Sequence, residues 1–406
     1  MTTRRRQTTV ALAAVLIAAT AGCQAQKPPT AAPAPVPKGM PTQMPMPTAM
    51  PAQQSGYPAA PAPASGFTLV ASGDVLPHGS LIERANADAG GNGYDFRPML
   101  AGVQPVVSGA DLAICHVGMV YGAGDDTGFP AFMTPPEVAE GLAATGYDSC
   151  STASNHALDD GAAGIQRTLD ALDSAGVRHA GSARTEEEAT SVTMMNAGGA
   201  KVAHLAYTYD TNGIPLPPEQ LWAVNPIDPD RIVADAKAAR GAGADVVVVS
   251  LHWGTEWQEE PDEQQLQLSE QLTASHTNGR PDIDLILGTR THIPQAYEKV
   301  NGTWVVYGLG DQISGEMVDH QGVGDPRGSA STIARFTFAP PAQGGGRWEV
   351  TKAEFLPQTL DLDAGRVITL NPALDQGARA GGGVRDRIRD VVLSRGAAQD
   401  GLVMAQ

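Results

Sequence analysis

From Phe67 onward the sequence predicts an α/β fold with at least one largely parallel sheet. Short apolar segments typical of strands alternate with longer amphipathic segments typical of helices. The chain has 406 residues, of which 42% are hydrophobic, so it can bury a sizeable core in one large domain or two small ones. Polar side chains recur at the ends of the predicted strands, where open α/β sheets bind their ligands.

Residues 1–22 are predicted to be a signal peptide. Three arginines, Arg4 to Arg6, precede an apolar segment that is too short to span a bilayer comfortably, and small residues follow it. The tetrapeptide TAGC resembles a bacterial lipobox, in which the cysteine, here Cys23, is lipidated and becomes the first residue of the mature protein. The alternative is an ordinary signal peptide with an incidental cysteine. We expect an exported lipoprotein that is anchored to the cell membrane and faces outward.

Residues 23–66 are predicted to be a linker behind the lipidated cysteine. Pro, Ala, Met and small polar residues dominate this segment, and such a composition cannot bury a core. Methionines cluster between positions 40 and 50 and resemble soft copper ligands, but no Cys or His accompanies them. A low-complexity spacer is therefore the favoured interpretation.

The main domain is predicted to extend over residues 67–365. Its predicted strands are FTLVASGD, DLAICH, YDSCSTASNH, KVAHLAY, ADVVVVSLHWG, DIDLILGTRTH and TWVVYGLGD. Its predicted helices include GIQRTLDALDSAG, DPDRIVADAKAARGAG and DEQQLQLSEQLTASH. Residues 366–406 contain a GARAGGG segment and the short charged helix VRDRIRDVVLSRG, and they are predicted to form a C-terminal extension.

Cys115 and Cys150 lie near the ends of two predicted strands. An exported domain permits a disulfide between them, but the geometry of bridges between neighbouring strands is restrictive. The sequence leaves their pairing open.

Nearly every predicted strand ends in a candidate ligand or catalytic group. These residues are Asp74, His116, Asn155 with His156, His252, His292 and Asp311. Each has a structural alternative: Asp74 could cap a turn, Asn155 could be a helix N-cap, and His252 could be a buried histidine bonded to backbone. Asp159 or Asp160 could complement the dipole of the same helix. Together they supply the carboxylate, amide and imidazole groups that divalent ions bind, so we expect them to converge.

Several motifs in fixed order resemble the CapA family of poly-gamma-glutamate capsule-synthesis proteins. They are GD, SNHALDDG, SLHWGTEW, GTRTHIPQ and VNGTWVVYGLGD, and they cover roughly residues 67–357. The phrases AICH and GYDSC resemble its actinobacterial branch. The resemblance implies a calcineurin-like metallophosphoesterase fold, with two stacked mixed β-sheets flanked by helices.

The resemblance also implies roles for single residues. The implied metal ligands are Asp74, Asn155, His252 and His292. His156 matches a candidate general acid, and Asp159 is placed to orient it or to hold the start of the helix. Glu256 matches a carboxylate that binds substrate or ties down a loop.

This sequence departs from the family pattern at three positions. Gly118 replaces a carboxylate, Arg290 replaces a histidine and Asp311 replaces an asparagine. A lost ligand and a gained cation both weaken the binding of a second dication, so we expect at most one divalent ion, which would be Mn, Zn or Fe. His116 is a candidate substitute ligand, and Arg290 is a candidate for binding a phosphate or carboxylate.

The formal net charge of −17 excludes a general nucleic-acid binder, which needs a basic surface. The resemblance implies a surface-anchored protein of poly-gamma-glutamate or related capsule-polymer synthesis or export. Its implied partners are an anionic polymer or envelope precursor and polymer-synthesis membrane proteins. Two alternatives stay open: a metal-dependent hydrolase of phosphoester or amide bonds, and a catalytically inactive polymer-binding lipoprotein.

Overall fold

The computed structural model describes residues 66–122, 133–318, 321–342, 346–377 and 381–406. The predicted signal peptide, the predicted lipidation site Cys23 and all of the predicted linker except Gly66 lie outside the described residues. Among the helices that are described, none combines the length and apolar composition needed to cross a bilayer.

Strands and helices alternate through most of the chain. The strands are β1 (Phe67–Val75), β2 (Leu112–Val117), β3 (Val120–Tyr121), β4 (Met133–Thr134), β5 (Ser149–Ser151), β6 (Arg178–Ala180), β7 (Thr193–Ala197), β8 (Ala200–Thr208), β9 (Val246–His252), β10 (His276–Thr277), β11 (Arg280–Pro281), β12 (Leu285–Thr289), β13 (Tyr297–Val300), β14 (Thr303–Val306), β15 (Asp311–Ile313), β16 (Ala330–Ala339), β17 (Glu349–Asp361), β18 (Arg366–Thr369) and β19 (Leu402–Met404). The helices are α1 (Gly79–Asp88), α2 (Arg97–Leu100), α3 (Gln104–Val107), α4 (Val138–Thr145), α5 (Gly161–Ala175), α6 (Glu186–Ala189), α7 (Pro229–Gly241), α8 (Glu263–Thr273), α9 (Leu370–Asp375) and α10 (Gly382–Val392).

Two mixed sheets form the centre of the domain. The main sheet has the order β18-β17-β16-β1-β2-β5-β6, with β15 paired to β1 and β19 paired to β17. The second sheet has the order β13-β14-β12-β9-β8-β7. Strands β8, β9, β12 and β14 run parallel, while β7 and β13 lie antiparallel at the two edges. The predicted α/β class with two mixed sheets is confirmed.

The sheets stack on one another and helices cover their outer faces. Leu69 of β1 and Val248 of β9 belong to one buried cluster between the sheets. On the far face of the main sheet, Leu142 of α4 lies in a second buried cluster. On the far face of the second sheet, Ile232 of α7 and Leu272 of α8 lie in a third. Burial of these apolar faces fixes a helix–sheet–sheet–helix order of layers.

The segment 366–406, predicted as an extension, contributes β18 and β19 to the main sheet. Strand β19 lies parallel to β17, and Leu402 is buried there. Ile388 and Val392 of α10 join the buried cluster that lies between the two sheets. The apolar side chains of this segment are core residues, so the structure places the segment inside the domain.

Candidate metal centre

The candidate site lies at the carboxyl end of β1. In the register of the main sheet, Asp74 pairs with His116 of β2 and with Asp311 of β15. These strands run parallel, so their last side chains meet at one edge. Gly73 permits the close approach of β15, because a Cβ at this position would lie 1.7 Å from the carbonyl oxygen of Gly310.

Asp74, His116 and His252 form a compact group of buried side chains. The Oδ1 atom of Asp74 lies 3.4 Å from His116 Nε2 and 3.6 Å from His252 Nδ1. The two imidazole rings stack, with centroids 4.6 Å apart. One ligand atom from each residue lies within 4.8 Å of the others. Ligand atoms around a tetrahedral ion with bonds of about 2.1 Å are about 3.4 Å apart, so this spacing fits one divalent ion.

Two atoms of this group make no hydrogen bond within the described part of the chain. They are Asp74 Oδ1 and His116 Nε2, and both are buried. Leaving buried polar atoms without partners costs stability. A single cation would satisfy both atoms, because they face each other across 3.4 Å. The residues present therefore fit a divalent ion.

Hydrogen bonds on the far side of each ring fix where its lone pair lies. His116 Nδ1 lies 2.7 Å from Ser151 Oγ, whose hydroxyl is directed to a backbone carbonyl. Ser151 therefore accepts the Nδ1 proton, and Nε2 presents its lone pair to the group. His252 Nε2 donates to Asn155 Oδ1 at 2.9 Å, which leaves a lone pair on Nδ1. This Nδ1 atom lies 3.0 Å from Thr289 Oγ1 and 3.6 Å from Asp74 Oδ1, so an ion bound to it would replace the threonine contact. Outer contacts of this kind orient histidine ligands in metal sites.

Burial decides the charge of the three side chains. It lowers the pKa of His116 to about 3 and places the pKa of His252 well below its usual value. Burial, followed by repulsion from Asp311, raises the pKa of Asp74 to about 7. At neutral pH both imidazoles are uncharged, as metal ligation requires.

The structure places His292 beside this group rather than in it. Its Nδ1 atom lies 3.2 Å from each carboxylate oxygen of Asp311. Burial opposes a charge on His292, but attraction to Asp311 and Asp74 raises its pKa to about 9. A protonated ring has no lone pair to offer. Its role as a metal ligand stays a prediction and requires loss of this proton.

Asn155 lies near the group but does not cap a helix. Helix α5 begins only at Gly161, with Asp160 as its N-cap, so the N-cap interpretation of Asn155 is wrong. The amide of Asn155 instead joins His252 to Asn212. Residues 156–160 separate Asn155 from the helix, so its side chain is available for these two contacts. Direct metal ligation by Asn155 stays a prediction.

His156 and Asp159 are brought together as predicted. His156 Nδ1 lies 2.7 Å from Asp159 Oδ2, and the carboxylate fixes the orientation of the imidazole ring. This arrangement is the one a histidine acid or base requires, since its second nitrogen is then turned away from the carboxylate. The catalytic role of the pair stays a prediction.

Arg290 joins the metal group to a neighbouring cavity. Its backbone N–H donates to Asp74 Oδ2 at 3.1 Å, and its φ of 91° is left-handed. Its guanidinium donates to the carbonyl of Gly254 and lies 3.7 Å from Glu256 Oε1. It also stacks on Tyr209, with 5.4 Å between the guanidinium carbon and the ring centroid.

The cavity has a volume of about 790 Å³. Its lining is formed by Tyr209, Gly254, Thr255, Glu256, Asp262, Glu263, Gln264, Gln267 and Arg290. Both predicted substrate-binding residues, Glu256 and Arg290, therefore line one cavity. Its charged side chains are three carboxylates and one guanidinium, so an anionic ligand would rely on Arg290.

Gly118 lies against the group at the position where the family pattern has a carboxylate. A Cβ there would lie 3.5 Å from Asp74 Oδ1 and 3.2 Å from the Leu76 side chain. A longer side chain at this position would therefore project toward the ion site. Because glycine has no side chain, this position does not supply the shared carboxylate that a second ion would need.

Cys115 and Cys150 form a disulfide. They are paired in register on the parallel strands β2 and β5. The next pair in this register is His116 and Ser151, which are hydrogen bonded to each other. The disulfide therefore ties together the two strands that hold and orient one imidazole of the group.

Some contacts of the site were not predicted from the sequence. Ser151 and Thr289 bond to the two imidazoles, and Asn212 approaches from the loop after β8. Ser151 and Thr289 are the last residues of their strands. The observation that polar residues recur at strand ends, which identified their neighbours, applies to them as well. Asn212 lies in a loop without periodicity, where an Asn-Gly dipeptide indicates a turn but no contact.

A family described as bacterial capsule synthesis protein PGA_cap matches residues 68–316. The chain is 28% identical over 221 residues to the PGA biosynthesis protein CapA of Bacillus subtilis (strain 168), which covers 54% of each chain. It is 26% identical over 179 residues to the capsule biosynthesis protein CapA of Bacillus anthracis, which covers 43% of this chain and 42% of that one. The chain spans about half the length of these relatives.

The chain is also similar to a solved structure of the calcineurin-like phosphoesterase YfkN from Bacillus subtilis. The similarity covers 80% of this chain and 100% of that chain, at a TM-score of 0.42 and 14% sequence identity.

Proposed function

The chain belongs to the family of bacterial capsule synthesis proteins, and we propose that it acts in the synthesis or export of polyglutamate or a related anionic polymer of the cell envelope. The names of two relatives support this proposal, since one is a PGA and the other a capsule biosynthesis protein. In this proposal the protein works at the outer face of the membrane, anchored through Cys23, beside membrane proteins of polymer synthesis.

The observation that carries the proposal of a working site is the group formed by Asp74, His116 and His252. Two of its buried polar atoms lack hydrogen bonds within the described residues, and they face each other at 3.4 Å. A fold that needed these residues only for packing would lose stability through them. We propose that the group holds one divalent ion, and that two imidazoles favour Zn or Fe(II) over harder ions.

A bound divalent ion would supply Lewis-acid polarisation of a phosphoryl or carbonyl oxygen. The residues of the chain then divide the remaining tasks. His156, oriented by Asp159 at 2.7 Å, would donate or accept a proton at its second ring nitrogen. Arg290 would bind a carboxylate or phosphate group of the polymer in the adjoining cavity.

Metal content tests the site. The protein is purified without chelator, its Zn, Mn and Fe are measured, and a generic phosphodiester is assayed in parallel. We expect at most one tightly held ion per chain and weak or no phosphodiester cleavage, because Gly118 supplies no bridging carboxylate. Two equivalents of metal with brisk turnover would instead support the hydrolase alternative and contradict the one-ion site.

Polymer content of cells tests the function. The gene is deleted in the organism that encodes it, and cell-bound and released polyglutamate are measured after hydrolysis. We expect polymer to be lost and to return with the parent gene but not with His252→Ala. If His252→Ala restores full polymer, the protein acts without the ion, which would favour the catalytically inactive binding alternative.

Fractionation of cells tests the anchor. Cys23→Ser removes the lipidation site, so we expect the protein to leave the membrane fraction or to stay unprocessed. Gly22→Ala, which keeps the cysteine and a small residue before it, is the control. A Cys23→Ser protein that stays processed and membrane-bound would contradict the lipoprotein proposal.

A further inference from the structure

We propose that the cavity lined by Glu256 and Arg290 binds a zwitterionic head group, in which one carbon carries both an ammonium and a carboxylate. The inference rests on the proposed function, and it names the part of the polymer that this cavity takes. In a gamma-linked polyglutamate chain only the residue at the amino end has such a head group. The protein would therefore recognise an end of the polymer rather than its interior.

The charges of the cavity argue against the interior of a polyanion as its ligand. The lining carries three carboxylates, from Glu256, Asp262 and Glu263, and one guanidinium, from Arg290. Each interior residue of polyglutamate brings a carboxylate and no cation, so it is attracted by the guanidinium but repelled by the three carboxylates. A ligand that carries an ammonium beside its carboxylate is attracted by both kinds of group.

Two of the three carboxylates are held by contacts within the fold. Asp262 caps α8 and also accepts from the hydroxyl of Thr255 at 2.9 Å. Glu263 Oε1 accepts from the amide of Gln267, one turn further along the same helix, at 2.8 Å. We therefore assign the ammonium of the ligand to the third carboxylate, Glu256.

Arg290 and Glu256 are spaced for a ligand that carries both charges on one carbon. Arg290 Nη2 lies 3.7 Å from Glu256 Oε1, which is beyond hydrogen-bond distance. The guanidinium is held by the carbonyl of Gly254 and the ring of Tyr209, while its buried Nε makes no hydrogen bond within the described residues. In a head group the nitrogen and the carboxylate oxygens are about 3 Å apart by standard bond lengths, so they can meet both side chains at once. Parting a loose, partly exposed ion pair costs little.

The linkage of the polymer decides whether a chain presents this head group. In a gamma-linked chain the amide bonds use the side-chain carboxyl, so the amino-terminal residue keeps its ammonium and a carboxylate on one carbon. In an alpha-linked chain that carboxyl is part of the amide bond, and the nearest carboxylate lies at the end of the side chain. Oligomers of equal length with the two linkages have the same composition and net charge, so they are matched probes.

Isothermal titration calorimetry on protein purified without chelator compares three short glutamate oligomers of equal length. They are gamma-linked, alpha-linked, and gamma-linked with an acetylated amino end. We expect the first to bind at least about tenfold more tightly than either of the others, which is the effect of one charged hydrogen bond.

Free glutamate is titrated as well, because it carries the same head group without a chain. A gamma-linked oligomer that binds at least as tightly as glutamate supports the chain end as the ligand. Glutamate that binds more than about tenfold more tightly than the oligomer overturns the chain end and identifies the free amino acid as the source of the head group.

Two variants locate the ammonium. Glu256→Gln keeps the size of the side chain but removes its charge, so we expect about tenfold weaker binding of the gamma-linked oligomer and no loss for the acetylated one. Glu260→Gln is the matched control, since Glu260 is exposed on the same loop and is not part of the lining. It should bind every oligomer as the parent does, and the melting temperatures of both variants should agree with the parent within a few degrees.

The outcomes are distinct. Equal binding of the gamma-linked and alpha-linked oligomers overturns the inference, and so does a Glu256→Gln protein that keeps the parent's preference for a free amino end. A parent that binds none of the oligomers also overturns it, while the role in polymer synthesis is decided separately by the polymer content of the deletion strain. A deletion strain that keeps its polymer contradicts the proposed function even where the head group binds.

Discussion

Two buried aspartates differ in their surroundings. They lie at opposite ends of their strands, and each strand belongs to a different sheet. Asp284 directly precedes β12, at its amino end, whereas Asp74 is close to the carboxyl end of β1. Both are at most 1% exposed. Asp284 contacts the guanidinium of Arg240, accepts the backbone N–H of Val247 at 2.7 Å and lies 3.5 Å from Arg347.

Asp74 is surrounded differently. Its Oδ2 accepts one backbone N–H, from Arg290, and its Oδ1 faces the uncharged rings of His116 and His252. Burial raises the pKa of both aspartates. Attraction to Arg240 opposes the rise at Asp284, whereas at Asp74 repulsion from Asp311 adds to it and attraction to His292 only partly opposes it. Equal burial therefore has two meanings. Each carboxylate keeps an Oδ1 without a hydrogen bond among the described residues, but Asp284 has two arginines beside it, whereas Asp74 Oδ1 faces two uncharged rings that can share an ion with it.

The largest expected effect is on the affinity for metal, which should distinguish the two residues. Asp74→Asn removes the only carboxylate of the proposed ion site, so we expect the affinity for Zn²⁺ to fall more than about 100-fold. Asp284→Asn should bind as the parent does, because its contacts lie at the other end of the strands. Isothermal titration with chelator-stripped protein measures both, and equal affinities of the parent and Asp74→Asn would remove the distinction.

Stability without metal should distinguish the same two aspartates in the opposite order, with the larger loss in the Asp284 variant. Asp284→Asn removes the carboxylate that contacts the guanidinium of Arg240 and leaves this cation with backbone carbonyls alone, which costs roughly 1.5–3 kcal/mol of unfolding free energy. Asp74→Asn removes a charge that the ion-free fold compensates only in part, since the pKa of Asp74 is raised despite attraction to His292, so stability without metal should be unchanged or higher. Urea denaturation at pH 8 tests this. A greater loss of stability in Asp74→Asn than in Asp284→Asn would reverse the comparison.

The smallest expected effect is a dependence on pH. The pKa of Asp74 is raised to about 7, above its value in the unfolded chain, so the ion-free protein loses stability as pH rises toward 7. An ion competes with that proton, so its affinity should fall by up to about tenfold for each pH unit below 7. Thermal shifts on adding Zn²⁺ at pH 5.5 and 8 measure this, and shifts of equal size at both values would contradict it.

Much of this architecture follows from hydrophobic pattern. The continuous apolar segments of β1, β2, β8, β9 and β12 were predicted because strands buried on both faces carry no polar alternation. The long strands β16 and β17 were not predicted. Polar side chains interrupt both strands. Arg335 and Glu354, for example, form an ion pair across them. The first half of β16 and the middle of β17 are buried at every residue, and alternation appears only toward their ends, so neither strand carries one simple pattern along its length.

The site likewise has parts that the sequence predicts and parts that it does not. The meeting of Asp74, His116 and His252 follows from the rule that strand ends converge. The pairing of His292 with Asp311 required the register of β15, which a three-residue strand does not reveal in sequence. The choice of ring nitrogen depends on hydrogen bonds between residues far apart in the chain, and local pattern carries no information on them.

The position of β1 has a consequence for how the molecule is made. This strand pairs with β2 on one side, and its other side is completed only by β15 and β16, which the ribosome produces much later. Contacts between distant segments form slowly, because the intervening chain must first be brought together. An apolar strand whose edge waits for its partner is open to wrong pairing with other chains. The newly made chain therefore passes through an interval in which one edge of its central apolar strand is unpaired and prone to aggregation.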